Sequence, residues 1–339
     1  MSAALLVRAL REPEALPPDC DWTGLISAAR AEQLIGSLAF RLEGRELPER
    51  AARLLAMHRA DAERVRVQAL WEAEMARRAL APLGVPVVLL KGTAFLAAGL
   101  DAAQGRSIGD LDILVPREAL DEVEQALIAA GWEQMKQGYD DLYYRTWMHE
   151  LPPLIHRERD RMIDVHHNIL PLTARPKPFP GDLIDQRVEL GDGLAVLSRE
   201  HMIVHAAAHL IADGDLAGGL RNLWDIDRLC RQFSAEDPDF YLGIAEEAAA
   251  HGLFHQTMRA LRLSRRLYGT PLVAYEGPSR VRYDPRAGDR LFLRRLLARD
   301  RWGRQTRSIS RLGFYARSHW MRMPPLMLAR HLWRKTRGS

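Results

Sequence analysis

The sequence predicts an α+β fold, a mixed sheet with helices, flanked by N-terminal and C-terminal helical regions. Two observations carry that expectation. Apolar residues recur at helical spacing up to about residue 83 and again after about residue 190, and short β-branched runs appear only between them. Gly and Pro punctuate those short runs, as strand boundaries require.

The N-terminal stretch MSAALLVRALREPEAL reads as a helix start. Arg8, Arg11 and Glu12 break its apolar run, and no small-residue cleavage site follows, so a signal peptide is not expected. From Trp22 to Leu83 the pattern is helical: Ala29, Leu34, Leu38 and Phe40 mark one apolar face, and Glu49–Leu80 is rich in Ala, Arg, Glu and Leu. Val85–Leu90 is a compact strand-like run after a Leu-Gly turn, long enough for a sheet and far too short for a bilayer. Thr93–Leu100 returns to helix, and Leu111–Val115 is a second strand ended by Pro116. Arg117–Ala130 is an amphipathic helix closed by Gly131. Trp132–Lys136, Leu142–Met148, Leu151–His156 and Met162–Ile169 then read as strands. Beyond the Pro-rich stretch Pro171–Pro180, helices are expected over Ser198–Ala212, Leu216–Phe233, Asp239–His251 and Gly252–Tyr268, with Ser198 opening the first. This divides the chain into an N-terminal helical region (1–83), an α/β core (84–190), a helical domain (191–275) and a basic C-terminal segment (276–339).

With 339 residues, 47% apolar and 27% charged, the composition is that of a soluble globular protein with a sizeable core. No internal repeat or membrane-length apolar run is present. Cys20 and Cys230 are isolated and lack metal-type spacing, which fits a reducing cytoplasm. The net charge of +4 conceals a strong asymmetry: residues 276–339 hold 17 Lys/Arg against 4 Asp/Glu, and the rest of the chain 31 against 40. A basic segment of this kind meets something acidic, whether nucleic acid, a phosphate-bearing substrate or the chain's own body. Trp302, Tyr315, Trp320 and Trp333 interleave its charges.

The stretch that points to chemistry begins at Leu90-Lys91-Gly92-Thr93 and continues at Arg106-Ser-Ile-Gly-Asp110-Leu-Asp112. Asp110 and Asp112 are two apart at the start of a strand, so both carboxylates share one face. Side by side they repel unless a cation lies between them, and hard divalent ions such as Mg²⁺ take such oxygen ligands together with substrate phosphates. Asp164, in the strand-like run Met162-Ile-Asp-Val-His166, supplies a third carboxylate if that strand lies beside the first. Lys91-Gly92-Thr93 sits where strand becomes helix. There a glycine allows phosphate close to the backbone, and Lys91 and Thr93 add a charge and a hydroxyl. Arg106 is placed to neutralise phosphate charge. Each piece alone reads as an ordinary turn or surface pair; the order of the pieces raises them above that.

That order resembles the DNA polymerase β-like nucleotidyltransferase superfamily, and more narrowly a bacterial family of uncharacterised nucleotidyltransferases. The residues concerned are Leu90-Lys91-Gly92, Arg106-(SIG)-Asp110-Leu-Asp112 and Asp164-Val-His166, with further likeness at the Trp22 helices, His149-Glu150, the His205/His209 helix and Arg221-Asn-Leu-Trp-Asp225. A weaker likeness reaches Arg317–Trp320. Thr93 replaces the serine of the superfamily's Gly-Ser turn and keeps its hydroxyl. The resemblance implies Mg²⁺-dependent transfer of a nucleoside monophosphate from ATP or another nucleoside triphosphate, with pyrophosphate leaving. Two Mg²⁺ ions are implied on Asp110, Asp112 and Asp164. The acceptor implied is a small molecule or peptide rather than nucleic acid, with no membrane involved. Two other activities compete: a nucleotide-binding accessory without transfer, and a toxin-like transferase acting on tRNA.

His201, His205 and His209 follow one another at four-residue intervals on one helix face, but no Glu completes a zinc-protease pattern. They read as interior hydrogen-bonding groups or as substrate contacts from the helical domain. Arg221 and Asp225 most simply pair with each other along their helix, or face the nucleotide. His166 shares a strand face with Asp164, which would let it orient that carboxylate or touch the acceptor. No Walker-type loop, dinucleotide glycine cluster or serine nucleophile elbow is visible.

Overall fold

The computed structural model describes residues 2–17, 19–135, 139–191, 193–274 and 283–324. Lys136, Trp333 and both ends of the basic segment, 276–282 and 325–339, lie outside them.

Four helices lead into the sheet: α1 (Ser2–Arg11), α2 (Trp22–Ala31), α3 (Ile35–Arg41) and the 32-residue α4 (Glu49–Leu80). Asp21 caps α2 by accepting from the Gly24 N–H at 3.1 Å. Strand β1 (Val88–Leu89) then passes into α5 (Lys91–Ala97), β2 (Asp110–Leu114), α6 (Leu120–Ala129), β3 (Trp132–Gln134), α7 (Tyr139–Trp147), β4 (Leu154–His156) and β5 (Met162–His166). Next come α8 (Pro180–Asp185) and a hairpin of β6 (Val188–Gly191) and β7 (Leu194–Val196). The helical half follows: α9 (Arg199–Ala207), a π-helical turn (Ala208–Asp213), α10 (Gly219–Glu236), α11 (Phe240–Ala250) and α12 (Phe254–Tyr268). Helices α13 (Asp289–Leu296) and α14 (Ser308–Arg322) close the described chain.

The fold is α+β, with one mixed seven-stranded sheet in the order β3-β4-β5-β2-β1-β7-β6 among the described residues. Strand β2 lies between β5, which it pairs in parallel, and β1, which it pairs antiparallel. Both central strands are buried and apolar on their core positions, with Leu111, Ile113, Leu114, Ile163 and Val165 at most 3% exposed. Strands hidden on both faces carry such near-continuous apolar runs.

Two features depart from the expected elements. Leu142–Met148 is not a strand but belongs mostly to α7. Its aromatic and β-branched residues suggest a strand, yet Arg145 bridges Asp141 one turn back at 2.8 Å and reaches Glu124 of α6 at 2.7 Å, and these contacts are available only to a helix. The β6–β7 hairpin was not foreseen, and it carries the sheet past residue 190 to Val196, with β7 parallel to β1. Strand β6 is only four residues long and exposed throughout, so the brief alternation Val188-Glu189-Leu190 marks no buried face.

Buried charge fixes the N-terminal helices against both the helical half and the sheet. Glu32, at the end of α2, accepts from the Leu220 N–H near the start of α10 at 3.1 Å and pairs with Arg299 at 2.6 Å. Glu72 of α4 holds Arg159 in the β4–β5 connection at 2.9 Å. No described helix is long and apolar enough to cross a membrane.

Candidate active site

Register is what assembles the acidic cluster. In the parallel β2–β5 pair, Asp112 stands opposite Asp164, and Asp110 lies two residues before Asp112 on the same face. One carboxylate oxygen from each of the three lies within 4.8 Å of the others. Asp112 is almost fully buried, and Asp110 and Asp164 are half-buried.

The two facing carboxylates are in opposite electrostatic states. Burial alone would raise Asp112, but the Lys91 ammonium, 2.5 Å from its Oδ1, and the His166 ring, whose Nε2 donates to Oδ1 at 3.0 Å, hold it well below the usual carboxylate range. Asp164 has no such partner, and its buried Oδ1 lacks any hydrogen bond among the described residues. Burial first, then the Asp112 charge, push its carboxyl up to about 7. A buried carboxylate with an orphaned oxygen beside two others is the arrangement that an oxygen-seeking divalent cation completes, so these residues fit Mg²⁺.

Lys91 takes an unusual backbone to reach Asp112: its φ is +51°, in the left-handed region that a side chain rarely adopts. Gly92, next in line, is obligatory for a different reason than expected. A Cβ there would sit 2.0 Å from Arg106 Nη1, so the space saved by the glycine holds the Arg106 guanidinium. Arg106 is buried, stacks 5.5 Å from the Phe95 ring centroid, and donates from Nε to Asp225 Oδ2 at 2.9 Å. Thr93 faces away from the main cavity, 2% exposed and turned toward α4 and Glu72, so its hydroxyl is not set toward phosphates there.

A cavity of about 420 Å³ opens between the strand ends and the helical half. Lys91, Gly92, Arg106, Asp110 and Asp112 line one side, and Arg221, Asn222, Asp225, His205 and His209 the other, with Met162, Leu197 and Met202 supplying apolar wall. Asp164 lies one strand beyond. The Arg221–Asp225 pair foreseen along α10 is replaced by a cross-domain one. Asp225 turns to Arg106, while Arg221 donates to Gln33, because burial makes the Arg106 contact the one that satisfies both charges. Burial raises the Asp225 carboxyl, and Arg106 offsets part of that.

His166 is 2% exposed and bonded to Asp112, so it steadies that residue rather than Asp164 and offers no surface to an acceptor. Its Nδ1 lies 3.3 Å from Glu150 Oε2, on a segment joined to β5 by an isolated Glu150–His166 bridge. Glu150 was foreseen only through the His149-Glu150 resemblance; nothing in local periodicity marks it. Burial, then the neighbouring His166, depress His149 well below the usual imidazole range.

The three helix histidines do not act together. His205 and His209 line the cavity, and burial holds His205 well below its ordinary value and His209 at about 3, so both rings are neutral. Asn222 Nδ2 donates to His209 Nδ1 at 3.2 Å. His201 has rotated to another cluster with Glu247 and His251, since four residues overshoot a helical turn by about 40° each time. The π-helical turn after α9 shifts His209 further, and Arg317 of α14 satisfies one of its carbonyls, that of Ile211, at 2.7 Å.

In the described part of the basic segment some cations bind the chain itself, while Arg290, Arg294, Arg304, Arg307 and Arg311 are exposed. Arg299 meets Glu32, Arg301 meets Asp21 at 3.2 Å, and Trp320 is covered by Arg175 with its guanidinium 4.3 Å from the ring centroid. Trp302 remains 63% exposed.

Residues 18–269, most of the chain, match the family model described as uncharacterised nucleotidyltransferase. The chain belongs to that family. No curated protein matches it. For this nucleotidyltransferase-family chain, the matched span covers both walls of the cavity and ends just after α12, before α13 and α14.

Proposed function

We propose that the chain transfers a nucleoside monophosphate from a nucleoside triphosphate to a small-molecule or peptide acceptor, releasing pyrophosphate. The observation that carries this reading is the Asp110–Asp112–Asp164 cluster with its orphaned Asp164 oxygen, set at the mouth of a cavity lined by two arginines. In this reading the site resembles that of the DNA polymerase β-like superfamily, with Lys91-Gly92-Thr93 in place of the Gly-Ser turn.

In this reading Asp110, Asp112 and Asp164 hold Mg²⁺, with two ions expected. Bound there, the metal would neutralise the triphosphate and increase the acidity of the acceptor hydroxyl. The protein's own groups do the rest. Arg106, fixed by Asp225, and Arg221, fixed by Gln33, face the cavity as cations for the phosphates. Lys91 balances Asp112, and His166 orients it. The acceptor oxygen forms a bond to the α-phosphorus, the bond to the bridging oxygen of the leaving pyrophosphate breaks, and the acceptor proton passes toward Asp164, whose Oδ1 has no hydrogen-bond partner among the described residues. The neutral His205 and His209 and the apolar Met162, Leu197 and Met202 offer the uncharged part of the ligand a matching wall.

In this reading residues 84–190 would supply metal and phosphate groups and 191–275 most of the opposite wall, with Gln33 from the 1–83 region beside Arg221. Cys20 and Cys230 are free thiols, which accords with a cytoplasmic protein.

The test is Mg²⁺-dependent pyrophosphate release with each of the four nucleotides, comparing wild type with Asp110→Asn/Asp112→Asn in the presence of candidate acceptors. Release lost in the variant supports transfer. Metal-dependent nucleotide binding without release under any acceptor favours the accessory reading, and absence of such binding sinks the proposal.

A further inference from the structure

A second cluster of metal-type side chains lies away from the cavity, where α8, α9 and α11 meet. His201 of α9 is fully buried and His251, at the C-terminal cap of α11, is 1% exposed; Asp182 of α8 and Glu247 of α11 open partly to solvent. One ligand atom from each of the four lies within 4.8 Å of the others. Glu247 Oε2 and His201 Nε2 are 2.9 Å apart, the two histidine Nε2 atoms 3.1 Å, and His251 Nε2 and Asp182 Oδ2 3.4 Å. The crossed distances, His201 to Asp182 and His251 to Glu247, are 3.8 and 4.0 Å. A tetrahedral shell with metal–ligand bonds of about 2.0–2.1 Å has edges of about 3.3–3.4 Å, and these separations scatter around that length.

Hydrogen bonding alone does not satisfy the cluster. The Phe179 N–H donates to His251 Nδ1 at 3.1 Å, which places the neutral ring's proton on Nε2, aimed at His201 Nε2. That same His201 nitrogen faces the Glu247 carboxylate, an acceptor, so it is asked to accept from one neighbour and donate to the other at once. His201 Nδ1 is buried without a partner among the described residues. A cation replaces both conflicting protons. Asp182 is already oriented for it, because its other oxygen accepts from Gln186 Nε2 at 2.8 Å.

We propose that Asp182, His201, Glu247 and His251 form a structural Zn²⁺ site that ties α8 to α9 and α11. Two imidazoles and two carboxylates in a closed, four-ligand set are the donors of a structural zinc rather than of a hard oxygen-only ion. On loading, the His251 proton moves from Nε2 to Nδ1. The Phe179 N–H, on a residue 66% exposed and just ahead of Pro180, then turns to water. The site is independent of the nucleotide site: it shares no residue with the cavity wall, and His201 is separated from His205 by one helical turn.

The experiment uses the full chain. Zinc content is measured after chelation and reloading, and Co²⁺ is titrated into the metal-free protein while visible absorption is followed. About one tightly held Zn²⁺, intense tetrahedral Co²⁺ bands bleached by Zn²⁺, and loss of both in folded Glu247→Gln and His251→Gln variants are expected. The Asp110→Asn/Asp112→Asn variant keeps the bands, and Zn²⁺ raises the melting temperature of wild type and of that variant but not of the Glu247→Gln and His251→Gln variants. Absence of tetrahedral bands in wild type, or their persistence in a folded His251→Gln variant (circular dichroism checking the fold), overturns the proposal. Where both variants fail to fold, the wild-type cobalt spectrum and its displacement by zinc decide alone.

Discussion

The two walls of the cavity solve the burial of polar groups in opposite ways. The strand wall keeps its charges: Asp112 is ionised between Lys91 and His166, and Asp164 is left short of a partner. The helix wall keeps no unspent carboxylate among its described residues: His205 and His209 are held neutral by burial, Asp225 is spent on Arg106, and Arg221 adds a cation. A wall with unspent negative charge is built to receive a cation, and a wall of neutral rings to receive the uncharged part of a ligand. The difference teaches where chemistry and where recognition are expected.

The strongest way to break that comparison is to remove charge from the strand wall. Asp110→Asn or Asp112→Asn is expected to lower pyrophosphate release by about 10³-fold or more, the equivalent of several kcal/mol of lost charge stabilisation. Steady-state kinetics that put the loss in kcal/mol at zero would assign the chemistry elsewhere. Across the gap, Asp225→Ala leaves the Arg106 guanidinium buried and unpaired, and chemical denaturation should register a loss of about 3–5 kcal/mol. If Arg106→Met/Asp225→Leu recovers stability but not nucleotide binding, the pair serves the ligand.

His166→Gln sharpens the picture of the strand wall itself. With Asp112 no longer oriented, Mg²⁺ affinity by calorimetry is expected to fall roughly 10- to 100-fold while the fold persists. Asp164 gives a pH test in the metal-free protein. Its carboxyl is raised from 3.8 to about 7 in the fold, so the native state binds its proton more tightly than the unfolded chain does. The resulting destabilisation is absent at low pH, grows as pH rises from about 4 to about 7, and is complete above. Asp164→Asn should therefore melt a few degrees higher than wild type near pH 8, about 2–4 °C per kcal/mol, and no higher near pH 4. Equal melting temperatures at both would contradict the orphaned carboxylate. The smallest effect belongs to the helix wall: His209→Ala should change the KM for nucleotide a few-fold. Because the ring's pKa of about 3 keeps it uncharged above about pH 5, the KM–pH profiles of wild type and variant should run parallel there.

Much of the site was legible because it lies on strands. The two-residue period placed Asp110 and Asp112 on one face before any contact was known, and Asp164 needed only a neighbouring strand. Helices with long amphipathic patterns, such as α4 and α10, were legible for the same reason of periodicity. Local pattern failed where a contact made elsewhere decides. Arg145 reaches Glu124 across 21 residues and turns a strand-like run into α7, and β6 has no buried face to leave a pattern. Partner choice was equally hidden: Asp225 takes Arg106, 119 residues away, in preference to Arg221, which lies one turn away on its own helix.

The sequence by itself determined the α+β class and the shared face of Asp110 and Asp112, because side-chain period and residue chemistry are local properties of the chain. Only the tertiary structure decided that β5 pairs with β2 in the register that sets Asp164 against Asp112. It alone decided that Gly92 yields its space to Arg106, and that His201 leaves His205 and His209 to join Asp182, Glu247 and His251. Those choices follow from which buried charges find partners, and burial exists only once distant segments have packed together.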